Sequence, residues 1–404
     1  MIATPLALLV SDSTPSIPLA MLLIFGTAKL FAEIIERLGQ PGIIGEILAG
    51  IIIGPSVLNW IQPNDLLTSL SELGVMFLLF RVGLEVKASE LMHVGGTAFL
   101  VALLGVLVPQ FLGYTLMRMW GYPNVEAIFV GASMVATSVG ITAQVLSAKG
   151  LLHLTSSRII LAAAVIDDIL GLIVLAIVSS MAKGSINLLE IGLTALGAIG
   201  FTYLVAKWGT QTMSKVVPRL EVGLHAGEVQ FNIALVILFA LALLASYAKM
   251  AAIIGAFLAG MALADSVDQR VHDLAHGITE LLVPFFLAGI GLRMELSAFS
   301  SPSLIVLACV ILAAAIVAKL IGCGMGAYAL GRVEMLRIGL GMVPRGEVGM
   351  IVAQIGLSMG IIEKPVYGVV VFMAVATTLV TPLLVKYAFR GAEHDQPEEQ
   401  FQLG

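Results

Sequence analysis

Two adjacent carboxylates, Asp167 and Asp168, stand in the middle of the apolar run 159–178 (IILAAAVIDDILGLIVLAIV). The chemistry open to them is narrow. A carboxylate holds either a proton or a hard cation, and burial disfavours its charged form. At the centre of a bilayer-spanning helix each costs about 2.5–3.5 kcal/mol on insertion scales. Acids kept there face a partner or a water-filled path, and they mark routes for ions or protons. Neighbours on a helix diverge by about 100°. The two side chains therefore do not converge on one water, as an aspartyl protease would require.

Two other stretches carry polar groups at membrane depth. Residues 134–144 (MVATSVGITAQ) hold Thr137, Ser138 and Gly140, a polar, flexible patch inside an apolar segment. Residues 342–350 (MVPRGEVGM) hold Pro344, Arg345, Gly346 and Glu347. Pro344 removes a helical hydrogen bond and Gly346 loosens the backbone, so this segment is expected to break. Irregular backbone at this depth is tolerated where it is buried in protein or lines a cavity. Thr137 and Ser138 would offer hydroxyl or carbonyl oxygens to a cation, unless they only back-bond to their own helix. Arg345 and Glu347 are two residues apart and would not meet on a regular helix. The favoured role for them, with Pro344 and Gly140, is in shaping and bracing the break. Lys319 lies deep in another apolar segment, as a counter-ion for Asp167 or as a lysine that snorkels or pairs structurally. Glu46 opens a span near a membrane surface, where a solvated mouth residue is the default.

The elements that position these groups follow from composition. The chain of 404 residues is 59% hydrophobic and 12% charged, with a mean hydropathy of +1.04. Soluble domains carry about 25% charged residues, so this is an all-α polytopic membrane protein. The net charge of −5 is partly that of an acidic tail (Glu393, Asp395, Glu398, Glu399). No basic run points to nucleic acid. Cys309 and Cys323, fourteen residues apart on one helix, are separated by about 21 Å, too far for a disulfide. Apolar runs define about thirteen segments, at 18–36, 42–60, 66–84, 95–117, 124–148, 157–181, 187–206, 229–247, 250–264, 278–295, 302–330, 335–360 and 366–387. With the N-terminus outside, fourteen Lys and Arg flank the cytoplasmic ends and five the outer ends, with Lys319 and Arg345 inside the membrane. This bias puts the C-terminus in the cytoplasm of a cell (inner) membrane. His93, His153, His225, His272 and His276 then map to cytoplasmic flanks, as ordinary loop residues or as a pH sensor.

Residues 43–50 (IIGEILAG) match 253–260 (IIGAFLAG), and 80–86 (FRVGLEV) resemble 288–294 (AGIGLRM). The offset is seven segments. Consecutive spans alternate direction, so the copies are inverted. The chain divides into an extracytoplasmic lead-in at 1–17, a six-helix repeat at 18–181, a linker helix and loop at 182–228, an inverted six-helix repeat at 229–388, and a cytoplasmic tail at 389–404. Inverted repeats with broken helices in matching positions place a transport site near the midplane.

These residues together resemble the monovalent cation:proton antiporter-2 family, which includes Kef-type potassium efflux systems and sodium/proton antiporters. The resemblance rests on 45–55 (GEILAGIIIGP), 80–86, 137–140, 165–168 (VIDD) and 343–353 (VPRGEVGMIVA), in family order. It implies thirteen helices in an inverted repeat, a mobile six-helix core with two crossed broken helices, and a homodimer. It implies exchange of Na⁺ or K⁺ for H⁺, with no cofactor. It puts the essential carboxylate, which also binds the transported ion, on Asp168, with Asp167 as second carboxylate or partner to a basic group. Two departures stand out. Electrogenic relatives with paired aspartates carry a lysine in the span equivalent to 278–295, and this span has only Arg293; electroneutral relatives often have Asn where this chain has Asp167. No Gly-rich fingerprint follows the last span, so nucleotide gating in cis is not expected. Against the antiporter stand a sodium-coupled solute symporter on a related fold, a channel, and the intramembrane aspartyl protease. Na⁺ and K⁺, and the stoichiometry, stay open.

Overall fold

The computed structural model describes residues 16–87, 89, 93–182, 188–223, 228–294, 299 and 301–390. Fifteen α-helices and one 3₁₀ turn run through them, with no strand. In chain order they are α1 (Ile17–Arg37), α2 (Gly42–Ile53), α3 (Asp65–Leu84), α4 (Gly95–Met119), α5 (Asn124–Ser133), α6 (Val139–Ala148), α7 (Thr155–Ala182), α8 (Leu188–Gly223), α9 (Val229–Tyr247), α10 (Ala252–Leu263), α11 (Gln269–Leu292), α12 (Pro302–Gly326), α13 (Arg332–Gly341), α14 (Glu347–Ser358) and α15 (Lys364–Ala388). Eight helices are long and apolar enough to cross a membrane alone. The other crossings are α8, the short α2 and α10, and two pairs of half-helices, α5–α6 and α13–α14.

Local chemistry sets several ends. The Asn64 side chain accepts from the Leu67 N–H at 2.9 Å and caps α3. Ser301 caps α12 ahead of Pro302, whose missing N–H costs nothing in a first turn. Segment 42–60 is helical only to Ile53, because Gly54 and Pro55 follow.

The helices pack as two bundles. The first holds α1, α2, α3, α9, α10 and α11; the second holds α4–α7 and α12–α15. Packing thus joins the first three crossings within 18–181 to the first three within 229–388, and the last three to the last three. The bundles meet where α6 lies on α3 and α15 on α2, and α8 packs on α7 and α10. Inside the first bundle the matched stretches make matching contacts. A methyl group on Gly50 would strike the backbone of Ala288, and one on Gly260 the backbone of Phe80. Only glycine allows helix axes so close.

Candidate functional site

The second bundle is organised around two chain breaks that cross. After α5, residues 134–138 run out of helix before α6; after α13, residues 342–346 do the same before α14. The Ser138 N–H donates to the Pro344 carbonyl at 2.8 Å. A Cβ on Gly346 would overlap the Ser138 side chain, so that glycine permits the crossing. The last carbonyls of α13 have no helical partners. Thr142 Oγ1 donates to Gly341 O at 2.6 Å, and Thr137 Oγ1 lies 3.4 Å from Met342 O. The first break and the start of α6 thus supply donors to the carbonyls of the second.

The unbroken α7 carries Asp167 and Asp168 past this crossing. Asp167 is fully buried. Its Oδ2 accepts from the Thr137 backbone N–H at 2.8 Å and its Oδ1 from Lys319 Nζ at 3.0 Å. Lys319 projects from α12 and is itself 0% exposed. It does not snorkel; its ammonium ends inside the protein. Asp168 is also buried, 4% exposed.

Arg345 lies in the second break and is buried. Its N–H donates to Thr377 Oγ1 at 3.1 Å, its carbonyl accepts from Thr378 Oγ1 at 3.0 Å, and its Nη2 donates to Ala315 O at 3.0 Å. The break is therefore tied to α15 and α12. Glu347 opens α14, but its side chain lies outside the described residues. Gly140 lies in the first turn of α6, not in the extended stretch, and a methyl group there would press on Val75 of α3. Its small size serves the contact between bundles. Four formal charges meet in this region, two acids and two bases, with the pair Lys319–Asp167 at its centre.

Some contributors were not singled out from sequence. Thr377, Thr378 and Thr381 are buried hydroxyls on α15. Their signal was present: three threonines within five residues of an apolar span. Glu46 departs from the solvated mouth residue expected of it. It is 6% exposed and its Oε1 lies 3.0 Å from Lys29 Nζ. A cavity of about 680 Å³ adjoins it, between α1, α2 and α11 of one bundle and α6 and α15 of the other. Among the histidines, His276 Nδ1 lies 2.8 Å from Arg81 Nη1, and His153 Nδ1 lies 2.9 Å from Gly150 O. Arginine only donates, so His276 must accept there with that nitrogen unprotonated. His225 lies outside the described residues.

The family model for the transmembrane sodium/hydrogen exchanger matches residues 20–390. The chain belongs to the sodium/hydrogen exchanger family. Among curated relatives, the chain is similar to the Na(+)/H(+)-K(+) antiporter GerN of Bacillus cereus, at 35% identity over 91% of this chain and 95% of that one. It is 31% identical to the high-affinity Na(+)/H(+) antiporter NhaS3 of Synechocystis, over 95% of this chain and 92% of the other. The fold matches the sodium proton antiporter MjNhaP1 from Methanocaldococcus jannaschii with a TM-score of 0.70, at 18% identity, over 94% and 97% of the two chains. As in other members of the exchanger family, the machinery is a multi-pass membrane domain.

Proposed function

We propose that this exchanger-family protein is a secondary antiporter that trades Na⁺ or K⁺ for H⁺ by competition at Asp168. The observation that carries the reading is an acid pair buried on α7 beside two crossed chain breaks. A buried carboxylate is discharged either by a proton or by a cation, and binding one excludes the other. The fluxes are then coupled when the site opens to each side in turn. Thr137 and Ser138 bring oxygens and the N-terminus of α6 to the site, and the Arg345 contacts hold the second break in place. The similarity to Na⁺/H⁺ antiporters supports cation–proton exchange over a solute symporter. A homodimer in the cell membrane, with its C-terminus in the cytoplasm, is part of the same proposal, on the family resemblance and the Lys/Arg bias.

The decisive test is the pH change inside membrane vesicles on adding NaCl, KCl or LiCl. Asp168→Asn should abolish it, since an amide neither titrates nor carries charge. Exchange at the wild-type rate in that variant rejects the mechanism.

A second reading concerns stoichiometry. Lys319 gives Asp167 the basic partner that the span 278–295 lacks, only from α12 instead. This favours an electrogenic cycle, in which a cation entering at Asp168 also releases a proton held by the Lys319–Asp167 pair. The expected outcome is an exchange rate that changes when the membrane potential is clamped at zero. A rate indifferent to potential points to one-for-one exchange.

A further inference from the structure

The cavity between the bundles holds a charge arrangement that Asp168 does not explain. Lys29 on α1 sets its Nζ 3.0 Å from Glu46 Oε1 on α2 and 3.7 Å from Glu280 Oε2 on α11. An ammonium between two carboxylates is an alkali cation on a tether, with the same charge and the same preference for oxygen. All three groups belong to the first bundle. They line one wall of the cavity, and Gln144 of α6 lines the facing wall. Gln144 Oε1 is buried and has no hydrogen-bond partner among the described residues. Gln144 also lies on α6, which opens two residues after Thr137, whose N–H holds Asp167. The cavity and the exchange site are thus joined through one short helix.

Resting on the antiport reading, we propose that Lys29 is a tethered competitor for the entering cation. Its ammonium occupies the Glu46–Glu280 cradle, and Na⁺ or K⁺ must displace it to gather at the mouth of the path to Asp168. The side chain is suited to the part. It is 39% exposed, so it swings into the cavity at little cost. Its carboxylate partner Glu46 is nearly buried and stays. The competitor raises the cation concentration needed for half-maximal exchange and leaves the rate at saturation alone.

The test is the cation dependence of proton exchange in everted vesicles, at constant ionic strength set with choline chloride. Lys29→Met should lower the apparent KM for Na⁺ and K⁺ by about two- to fivefold, the range for one partly exposed ion pair, with no change in saturating rate. Lys29→Arg keeps the charge and should stay near the wild-type KM. In a Glu46→Gln background most of the Lys29→Met effect should vanish. Lys149→Met removes a charge from the same cavity outside the cradle, and its effect should be smaller and should fade at high salt. An unchanged or raised KM in Lys29→Met overturns the proposal, as does an equal fall in Lys149→Met. Asp168→Asn is measured alongside. Exchange surviving there rejects the antiport site itself, whereas Asp168-dependent exchange with a KM indifferent to Lys29 rejects only the competitor.

Discussion

Asp167 and Lys319 show how an ion pair is kept inside a membrane protein. Each charge would be expensive alone; together, with the Thr137 N–H on the second oxygen, part of their desolvation is offset. Removing one partner leaves an uncompensated charge, at a cost of about 3–5 kcal/mol. Lys319→Gln should therefore lower the thermal unfolding midpoint in detergent markedly. Asp167→Asn with Lys319→Gln should recover most of the loss, because both buried charges are then removed together. A double variant as unstable as the sum of its singles contradicts this coupling. The residues of this site were legible in sequence because acids and bases in apolar runs are conspicuous. The sequence offered Lys319 as a counter-ion for Asp167 or as a lysine that snorkels or pairs structurally, and could not choose between them. Asp167 and Lys319 are 152 positions apart, and no spacing rule links α7 to α12.

At the scale of elements, the break in 335–360 was readable from Pro344 and Gly346, since each has a direct backbone consequence. The break in 124–148 was readable only as a polar patch, and Gly140 was misplaced within it. The extended residues are held by the partner break, through Ser138 to Pro344 and Thr142 to Gly341, and that support is tertiary. The short helices α2 and α10 depend on close approach instead. Gly260→Val should force α10 away from Phe80 on α3, with a loss of about 1–3 kcal/mol or more. The readout is the unfolding midpoint, and an unchanged midpoint means that the contact is looser than the backbone geometry requires.

For the whole molecule, the consequence is two bundles that touch along few helices, with a cavity between them. Such an interface permits one bundle to move against the other, and alternating access requires that it does. The contact of α6 with α3 offers a lock. A Cβ on Gly140 would lie 2.8 Å from Val75 Cγ2, which puts the two Cβ positions within about 4.3 Å, inside disulfide range. With Cys309 and Cys323 replaced, oxidised Val75→Cys/Gly140→Cys should stop exchange in vesicles, and reduction should restore it. Undiminished exchange with the disulfide formed excludes sliding at this contact. Composition alone determined that the chain is a helical membrane domain, because unpaired backbone is intolerable in lipid and apolar length is easily counted. The seven-segment offset points to an inverted repeat, because alternation of direction is a matter of parity. The partners of Asp167, the burial of Glu46 and the sorting of helices into bundles were decided by the tertiary structure. Each of these depends on which distant segments share a face, and a one-dimensional pattern of hydrophobicity carries no record of that.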